Sequence, residues 1–416
     1  MQVEENHTMA HTSVGDLATN TIGGDQQKTQ TFAFLAMTCL FFFWGFITVL
    51  NDILIPFLKD SFDLNYTQAM LVQSCFFGAY FIVSPFAGKL IDWIGYQNGI
   101  VCGLLTMALG CLMFYPSAEL NVYVLFLFAL FVLAGGIAIL QVAANPYVAA
   151  LGPEKTAASR LNLAQAANSL GTTVGPLVGA ALILGVAVAD ASAVQGPYLM
   201  MAAILVAAAV AFKFIKLPVI AGVEGTVSDD DNSVWDRRSL VLGALAIFLY
   251  VGGEVSIGSF LVNYFAESSI AGLSHESAGE MVAYYWGAAM IGRLVGALAM
   301  NFVAPTKYLS INALIAILMI IISMNTSGNI AMWSILAVGF FNSIMFPTIF
   351  TLAVKGLGSL TSKGSGLVCQ AIVGGAVIPF IQGVAADSVG IQLSFFVPML
   401  CYVYIGWYAL RGSNQL

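Results

Sequence analysis

The sequence predicts an all-α integral membrane protein of twelve transmembrane helices arranged as two six-helix bundles. The first observation is composition, since 59 % of the 416 residues are hydrophobic and only 8 % are charged, against about 25 % charged in soluble domains. The second is that apolar runs of roughly 20 residues, long enough to cross a bilayer, recur along the chain. These runs lack the alternation of membrane strands, which favours helices.

Polar segments divide the apolar runs into two sets of six. Residues 1–30 are rich in Gly, Asn, Gln and Thr and lack the basic start and short apolar core of a signal peptide, so we expect a disordered cytoplasmic tail. The polar linker 216–238 separates a bundle at 31–215 from a bundle at 239–411. The predicted spans are 31–58, 67–90, 96–117, 121–150, 157–188, 196–215, 239–267, 276–302, 308–325, 329–354, 364–386 and 391–410.

The basic residues lie almost entirely on one side of the predicted membrane. Counted from a cytoplasmic N-terminus, only Lys59 falls outside, and Arg293 lies within the eighth run. Cytoplasmic loops are enriched in Lys and Arg, so we expect both termini in the cytoplasm and the chain in the cell inner membrane. The residues on the inner side are Lys28, Lys89, Lys155, Arg160, Lys213, Lys216, Arg237, Arg238, Lys307, Lys355, Lys363 and Arg411.

The two halves contain an internal repeat. Runs four and five, and again runs ten and eleven, carry a mid-helix proline, a basic loop, a glutamine and a second proline in the same order. Parallel repeats of this kind are typical of transporters whose site lies between two bundles near the membrane midplane. The repeated residues are Pro146, Gln165 and Pro176 in the first half and Pro347, Gln370 and Pro379 in the second.

Four motifs resemble the major facilitator superfamily, and in particular its fucose–galactose–glucose symporter branch. GKLIDWIG after the second run is similar to the superfamily's loop 2–3 motif, with Trp93 at the usual arginine position. LNDIL, QVAANPYVAALGPE and RLNLAQAANSLG in runs one, four and five resemble the branch more closely. The resemblance implies the major facilitator fold and sugar transport coupled to protons or, in some members, to sodium.

The resemblance also implies roles for two coupling positions. In fucose-type members an aspartate in helix one and a glutamate in helix four serve proton coupling. Asp52 matches the first position, whereas Gln141 stands at the second. This departure from the fucose type is similar to the glucose/galactose type, and it favours Na⁺ over H⁺ as the coupling ion.

The residues around these positions suit a small cation. Asn51 and Thr48 share the helical neighbourhood of Asp52, and Gln141 and Asn145 form an i, i+4 pair. Pro146 cannot donate to the carbonyl of Val142, which leaves an additional oxygen. One carboxylate with amide and carbonyl oxygens suits Na⁺, with Asp52 as the candidate ligand; one titrating proton or simple helix joining remain open alternatives.

A sugar-binding site requires polar side chains that hydrogen-bond to the hydroxyls and a flat apolar surface that contacts the C–H groups. Glu254 lies about fifteen residues into the seventh run, near the midplane, and we expect it to accept sugar hydroxyls; a buried pairing with Arg293 is the alternative. Aromatic residues in membrane helices also serve packing or the interfacial belt. The other candidate sugar-binding residues are Gln165, Asn168, Asn342, Gln370, Trp286, Tyr285 and Trp44.

Gly88 and Asp92 lie in the predicted turn after the second run, and with Arg293 they are candidates for gating. The sequence has no P-loop and no nucleophile–base spacing, so we expect neither an ATP-driven pump nor an enzyme. We predict a monomeric hexose symporter that works in the lipid bilayer by alternating access, needs no cofactor beyond Na⁺ or H⁺ and binds no nucleic acid. A proton-coupled fucose-type symporter, a drug-efflux antiporter of the same fold and a non-transporting sugar sensor are the alternatives.

Overall fold

The computed structural model describes residues 30–48, 58, 62, 71–179, 194–215, 217–218 and 233–414. Its long elements are all helices, and the described residues contain no strand. The first bundle consists of α1 (Gln30–Thr48), α2 (Leu71–Ile94), α3 (Tyr96–Glu119), α4 (Tyr123–Ala150), α5 (Ala157–Gly179) and α6 (Gln195–Phe214). The second bundle consists of α7 (Arg238–Ala266), α8 (His275–Ala299), α9 (Pro305–Asn325), α10 (Gly328–Val354), α11 (Gly358–Val389) and α12 (Ile391–Leu410).

The fold class predicted from the sequence is confirmed. Within the described ranges, 11 helices are long and apolar enough to cross a membrane. The twelfth is α5, which has the length for a span, 23 residues, but carries a stripe of polar side chains where a lipid-exposed helix would carry apolar ones. Polar residues in a membrane helix usually face the bundle interior or a cavity. The sequence of α5 therefore indicates that its polar face is directed toward the inside of the molecule.

The end of α2 corrects one sequence prediction. Gly88, Lys89 and Asp92 were expected in a turn, but the helix continues through them to Ile94. Ile91 is buried within this last part of the helix, and its burial extends the packed face beyond the glycine. The turn instead falls at Gly95, whose φ of 80° lies in the left-handed region that favours glycine.

Two helices of the repeat are broken in the middle. In α10 the regular helix stops at Asn342 and resumes at Met345, just before Pro347. In α11 a 3₁₀ segment, Ala371–Val373, separates two α-helical pieces. The proline ring and missing N–H account for the first break, and glycines at the start of the following α-helical piece, Gly374 and Gly375, lie beside the second.

The same helix crossing occurs in both bundles. In the first, Gly171 of α5 lies directly against the backbone carbonyl of Phe42 in α1, and in the second, Gly374 of α11 lies against that of Phe248 in α7. A Cβ at either glycine would overlap the carbonyl oxygen. Each first and fifth helix therefore approaches its partner backbone to backbone, as small residues allow in membrane bundles.

The bundles meet along two seams. The α11 seam joins α11 to α2 and α4, and the α5 seam joins α5 to α8 and α10. Both seams run inward from the side of the molecule on which Lys155, Lys355 and Lys363 lie, which we call the basic face. Contacts along both seams close the molecule at this face, and they position the candidate site residues.

Candidate functional site

The predicted gating residues Gly88 and Asp92 lie on the α11 seam at the basic face. A Cβ added to Gly88 would lie 2.8 Å from the carbonyl oxygen of Ser362, so only glycine lets α2 and α11 come this close. Asp92 accepts a hydrogen bond from the Ser362 hydroxyl and lies 3.8 Å from the Lys363 ammonium. The segment predicted as a gate thus joins the two bundles in this conformation.

Deeper in the α11 seam, two side chains of α11 donate to backbone carbonyls of the first bundle. The Ser365 hydroxyl donates to the Val142 carbonyl at 2.9 Å, and the Gln370 amide donates to the Phe81 carbonyl at 3.2 Å. The Val142 carbonyl is the oxygen that Pro146 was expected to leave for a cation. In this state it has a partner from the opposite bundle.

The α5 seam is also closed by hydrogen bonds. Ser159 donates to the Ala297 carbonyl, and Asn162 donates to the Thr348 hydroxyl at 3.3 Å. Further from the basic face, Arg293 of α8 donates to the Ser169 hydroxyl and, at 3.3 Å, to the Gln165 carbonyl, both on α5. Arg293, which was predicted from the sequence as a gating residue, therefore connects the bundles.

Arg293 also faces the candidate sugar acceptor. Its guanidinium lies 3.9 Å from a carboxylate oxygen of Glu254, and each side chain is 13 % exposed. The Tyr250 hydroxyl donates to the same carboxylate oxygen at 2.7 Å, and Arg293 Nε donates to the Ser343 carbonyl at 3.2 Å. A carboxylate this deep needs a counter-charge, so the alternative pairing considered for Glu254 is present; a carboxylate with two oxygens can hold a ligand hydroxyl as well.

The aromatic candidates on α8 differ in their surroundings. Trp286 is 41 % exposed, and its ring lies over Gly258, one helical turn from Glu254 on α7. Tyr285 is fully buried, and Asn342 donates to its hydroxyl at 2.7 Å and to the Tyr402 hydroxyl at 3.0 Å. Trp286 thus has an exposed ring that contacts α7 at Gly258, whereas Tyr285 and Asn342 belong to the packed interior of the second bundle.

A second cluster lies in the first bundle. Gln141 donates to the Tyr80 hydroxyl at 2.6 Å, and Tyr80 and Trp44 are both buried. Among the described residues, the Gln141 carbonyl oxygen and both polar atoms of Asn145 are buried without a hydrogen-bond partner. Buried polar atoms are nearly always partnered, so these are the atoms of α4 that a ligand or water would complete.

Four further candidates have structural contacts or lie outside the described ranges. Asn168 donates to the Phe41 carbonyl at 3.0 Å and so joins α5 to α1, and Thr48 donates to the Trp44 carbonyl at 2.9 Å within α1. Asn51 and Asp52 lie outside the described residues. Within the described part of the chain no group of three His, Cys, Asp or Glu side chains is arranged to hold a metal.

Sequence reasoning missed several partners of the residues it selected. Tyr250 and Ser169 lie four residues from Glu254 and Gln165, so the helical i, i+4 spacing was the signal that could have found them. Tyr80 and Tyr402 are distant in sequence from Gln141 and Asn342 and sit in otherwise aromatic-rich helices. Nothing in the pattern of one chain distinguishes such tyrosines from packing residues.

The comparisons with known proteins agree with this architecture. Residues 33–369 match the Major Facilitator Superfamily profile, and the chain belongs to that family. It is 56 % identical over 395 residues to the "Glucose/galactose transporter" of Brucella abortus biovar 1 (strain 9-941), covering 94 % of this chain and 96 % of that one. It is 33 % identical to the "L-fucose-proton symporter" of Escherichia coli (strain K12), covering 98 % and 99 %.

A solved structure has the same fold. The crystal structure of FucP, described as a Major Facilitator Superfamily transporter in the outward conformation, has a TM-score of 0.86 and 32 % identity over 93 % of this chain and 100 % of that chain. The family, the branch and the multi-pass membrane character predicted from the sequence are confirmed. So is the prediction that the chain is not an enzyme, because these relatives are named as transporters or symporters.

Proposed function

We propose that this protein is a cation-coupled symporter of a hexose, glucose or galactose, that works by alternating access and uses Na⁺ in preference to H⁺. Relatives named as glucose/galactose transporters support the substrate class. The observation that carries the proposal is Glu254, a carboxylate held between Tyr250 and Arg293 deep in the molecule, one helical turn from Gly258, which the exposed ring of Trp286 contacts. This pairs a hydroxyl acceptor with an apolar platform, the two features that a hexose needs.

The position of the seams supports alternating access. Both are closed at the basic face, and the site residues Glu254 and Trp286 lie further from that face than the gating residues Gly88 and Asp92. In the proposed cycle, sugar and cation enter from the opposite side, the bundles rock, and the seams separate to release both. The first bundle contributes the cation residues, and the second contributes the carboxylate and the ring.

The choice of Na⁺ rests on Gln141. The resemblance assigns Asp52 to one coupling position and Gln141 to the other, and because an amide cannot titrate, coordination by carboxylate and amide oxygens is favoured over proton relay. Gln141 and Asn145 offer buried oxygens that have no partner among the described residues. Proton coupling remains the second candidate, supported by the name of the E. coli relative.

The experiment that tests the proposal is uptake of labelled glucose into proteoliposomes. One set carries an inward Na⁺ gradient at equal pH, and the other an inward H⁺ gradient without Na⁺. We expect accumulation with Na⁺ alone, and we expect Asp52→Asn to abolish accumulation while sugar exchange persists. Accumulation with H⁺ alone would replace the proposed ion, and absence of both glucose and galactose uptake would overturn the proposed substrate.

Trp286 provides a prediction about the sugar itself. Trp286→Ala removes the ring that contacts α7 at Gly258, and we expect the KM for sugar to rise roughly 2- to 12-fold, because a stacking aromatic contributes about 0.5–1.5 kcal/mol. The control is Tyr284→Ala on the same helix, whose ring is 58 % exposed and contacts Trp333. Equal KM values in the two variants would remove Trp286 from the site.

A further inference from the structure

Three of the prolines within the membrane helices leave a backbone carbonyl at a seam without its usual helical donor. Proline has no N–H, so the carbonyl four residues earlier loses its hydrogen bond within the helix. Pro85 lies within α2, Pro146 within α4 and Pro347 within α10. The carbonyls that they free are those of Phe81, Val142 and Ser343.

Each of these three carbonyls accepts a hydrogen bond from a side chain at a seam. Gln370 donates to Phe81 at 3.2 Å, and Ser365 donates to Val142 at 2.9 Å. Both bonds run from the second bundle to the first. Arg293 donates to Ser343 at 3.2 Å within the second bundle, and the same guanidinium donates across the α5 seam to Ser169.

We propose that these proline-freed carbonyls are the acceptors of a latch that holds the basic face closed, with Gln370, Ser365 and Arg293 as its positioning residues. The inference rests on the proposed alternating access. It gives Gln370, which the sequence suggested as a sugar-binding residue, a role in joining the bundles at the α11 seam. In this proposal Pro85 and Pro146 make the backbones of α2 and α4 acceptors for the opposite bundle, and Pro347 provides the carbonyl that holds Arg293 in place.

The energetics suit a latch that must open in every cycle. The Ser365–Val142 bond is buried, where a carbonyl without a donor is costly, and water can replace the donor once the seam separates. The Gln370–Phe81 bond is exposed, so water can reach that carbonyl more readily. Each neutral hydrogen bond therefore favours the closed state only modestly, by roughly 2- to 10-fold. Several such bonds hold the face shut without trapping it.

The test measures the opening of the basic face directly. Spin labels are attached at Lys155→Cys and Lys307→Cys, two exposed positions on opposite bundles, in a cysteine-free background whose thermal unfolding in detergent matches that of the wild type. Distances are recorded in lipid nanodiscs without sugar or gradient. We expect Ser365→Ala to raise the ratio of open to closed molecules roughly 2- to 10-fold.

A double-mutant cycle assigns that effect to the carbonyl. In Pro146→Ala the backbone N–H is restored and supplies Val142, so the effect of Ser365→Ala should fall to less than half. The matched control is Pro116→Ala in α3, a helix that packs against α2, α4 and α6 of its own bundle. There the two substitutions should be additive.

A second cycle makes the result independent of one site. Gln370→Met with Pro85→Ala should show the same non-additivity at the Phe81 carbonyl. Unchanged distances in Ser365→Ala and Gln370→Met, or additive effects in both proline backgrounds, would overturn the latch. Because no substrate is needed, failed glucose uptake would overturn the proposed function and leave this result standing.

Discussion

Arg293→Met is expected to reduce sugar uptake by roughly 100-fold or more and to lower the free energy of unfolding by about 3–5 kcal/mol. Arg293 is 13 % exposed and is the counter-charge of Glu254, and removing one member of a buried ion pair leaves the other uncompensated. The substitution also removes the donors to the Ser343 and Gln165 carbonyls. Thermal unfolding in detergent and proteoliposome uptake measure the two effects.

A second substitution separates the electrostatic effect from the mechanical one. Adding Glu254→Gln to Arg293→Met removes the uncompensated charge, and the amide oxygen can still accept from Tyr250. We expect stability to recover by more than half, which measures the electrostatic effect, while uptake stays lost, because the bonds to α5 remain absent and the proposed sugar-binding carboxylate is replaced. An Arg293→Met protein that unfolds and transports like the wild type would show that this pairing has no role in either process.

The arrangement of the spans was predictable because the bilayer imposes a simple rule. A run of roughly 20 apolar residues has one stable solution in lipid, a helix, and the predicted span 96–117 accordingly appears as Tyr96–Glu119. The helix end at Ile94 was less predictable. Gly88 is a turn residue by its chemistry, but in α2 it serves a close approach to α11, and Ile91 extends the buried face beyond it.

The residue types of the site were predictable, but their partners were not. An ionisable residue in an apolar run is a functional candidate because burying a charge in the bilayer is costly. This reasoning selected Glu254 and Arg293, which lie 3.9 Å apart in the structure. The same reasoning gave Gln370 and Gln165 the same sugar-binding role, and it could not predict that Gln370 donates to a backbone carbonyl of the other bundle. Whether a polar side chain of a membrane helix reaches a ligand or the backbone of another helix depends on packing between bundles, which a single chain's periodicity does not contain.

The α11 seam offers a steric prediction that complements the electrostatic one. Gly366 of α11 packs against the backbone of α2, and a Cβ there would lie 2.7 Å from the Ser84 carbonyl oxygen. That oxygen is backbone and cannot rotate away. Gly366→Val must therefore push α2 and α11 apart, while valine is no worse than glycine as a helix former.

We expect Gly366→Val to favour the open basic face and to lose uptake. Overpacking of this kind costs about 1–3 kcal/mol, which corresponds to roughly a 5- to 150-fold shift toward the open state. Because the contact is between bundles, the stability of each bundle should change little. The distance between labels at positions 155 and 307 and the rate of sugar uptake report the two effects.

The matched control lies on the same helix. At Gly383 a Cβ would meet the Phe260 ring at 3.8 Å, which is ordinary contact within the second bundle. Gly383→Val should therefore leave both the distance distribution and uptake near wild type. If the basic face closed to the same extent in the Gly366→Val and Gly383→Val variants, the tight approach of α2 and α11 would not be what closes it. The hydrogen bonds of the seams would then have to hold the face closed alone.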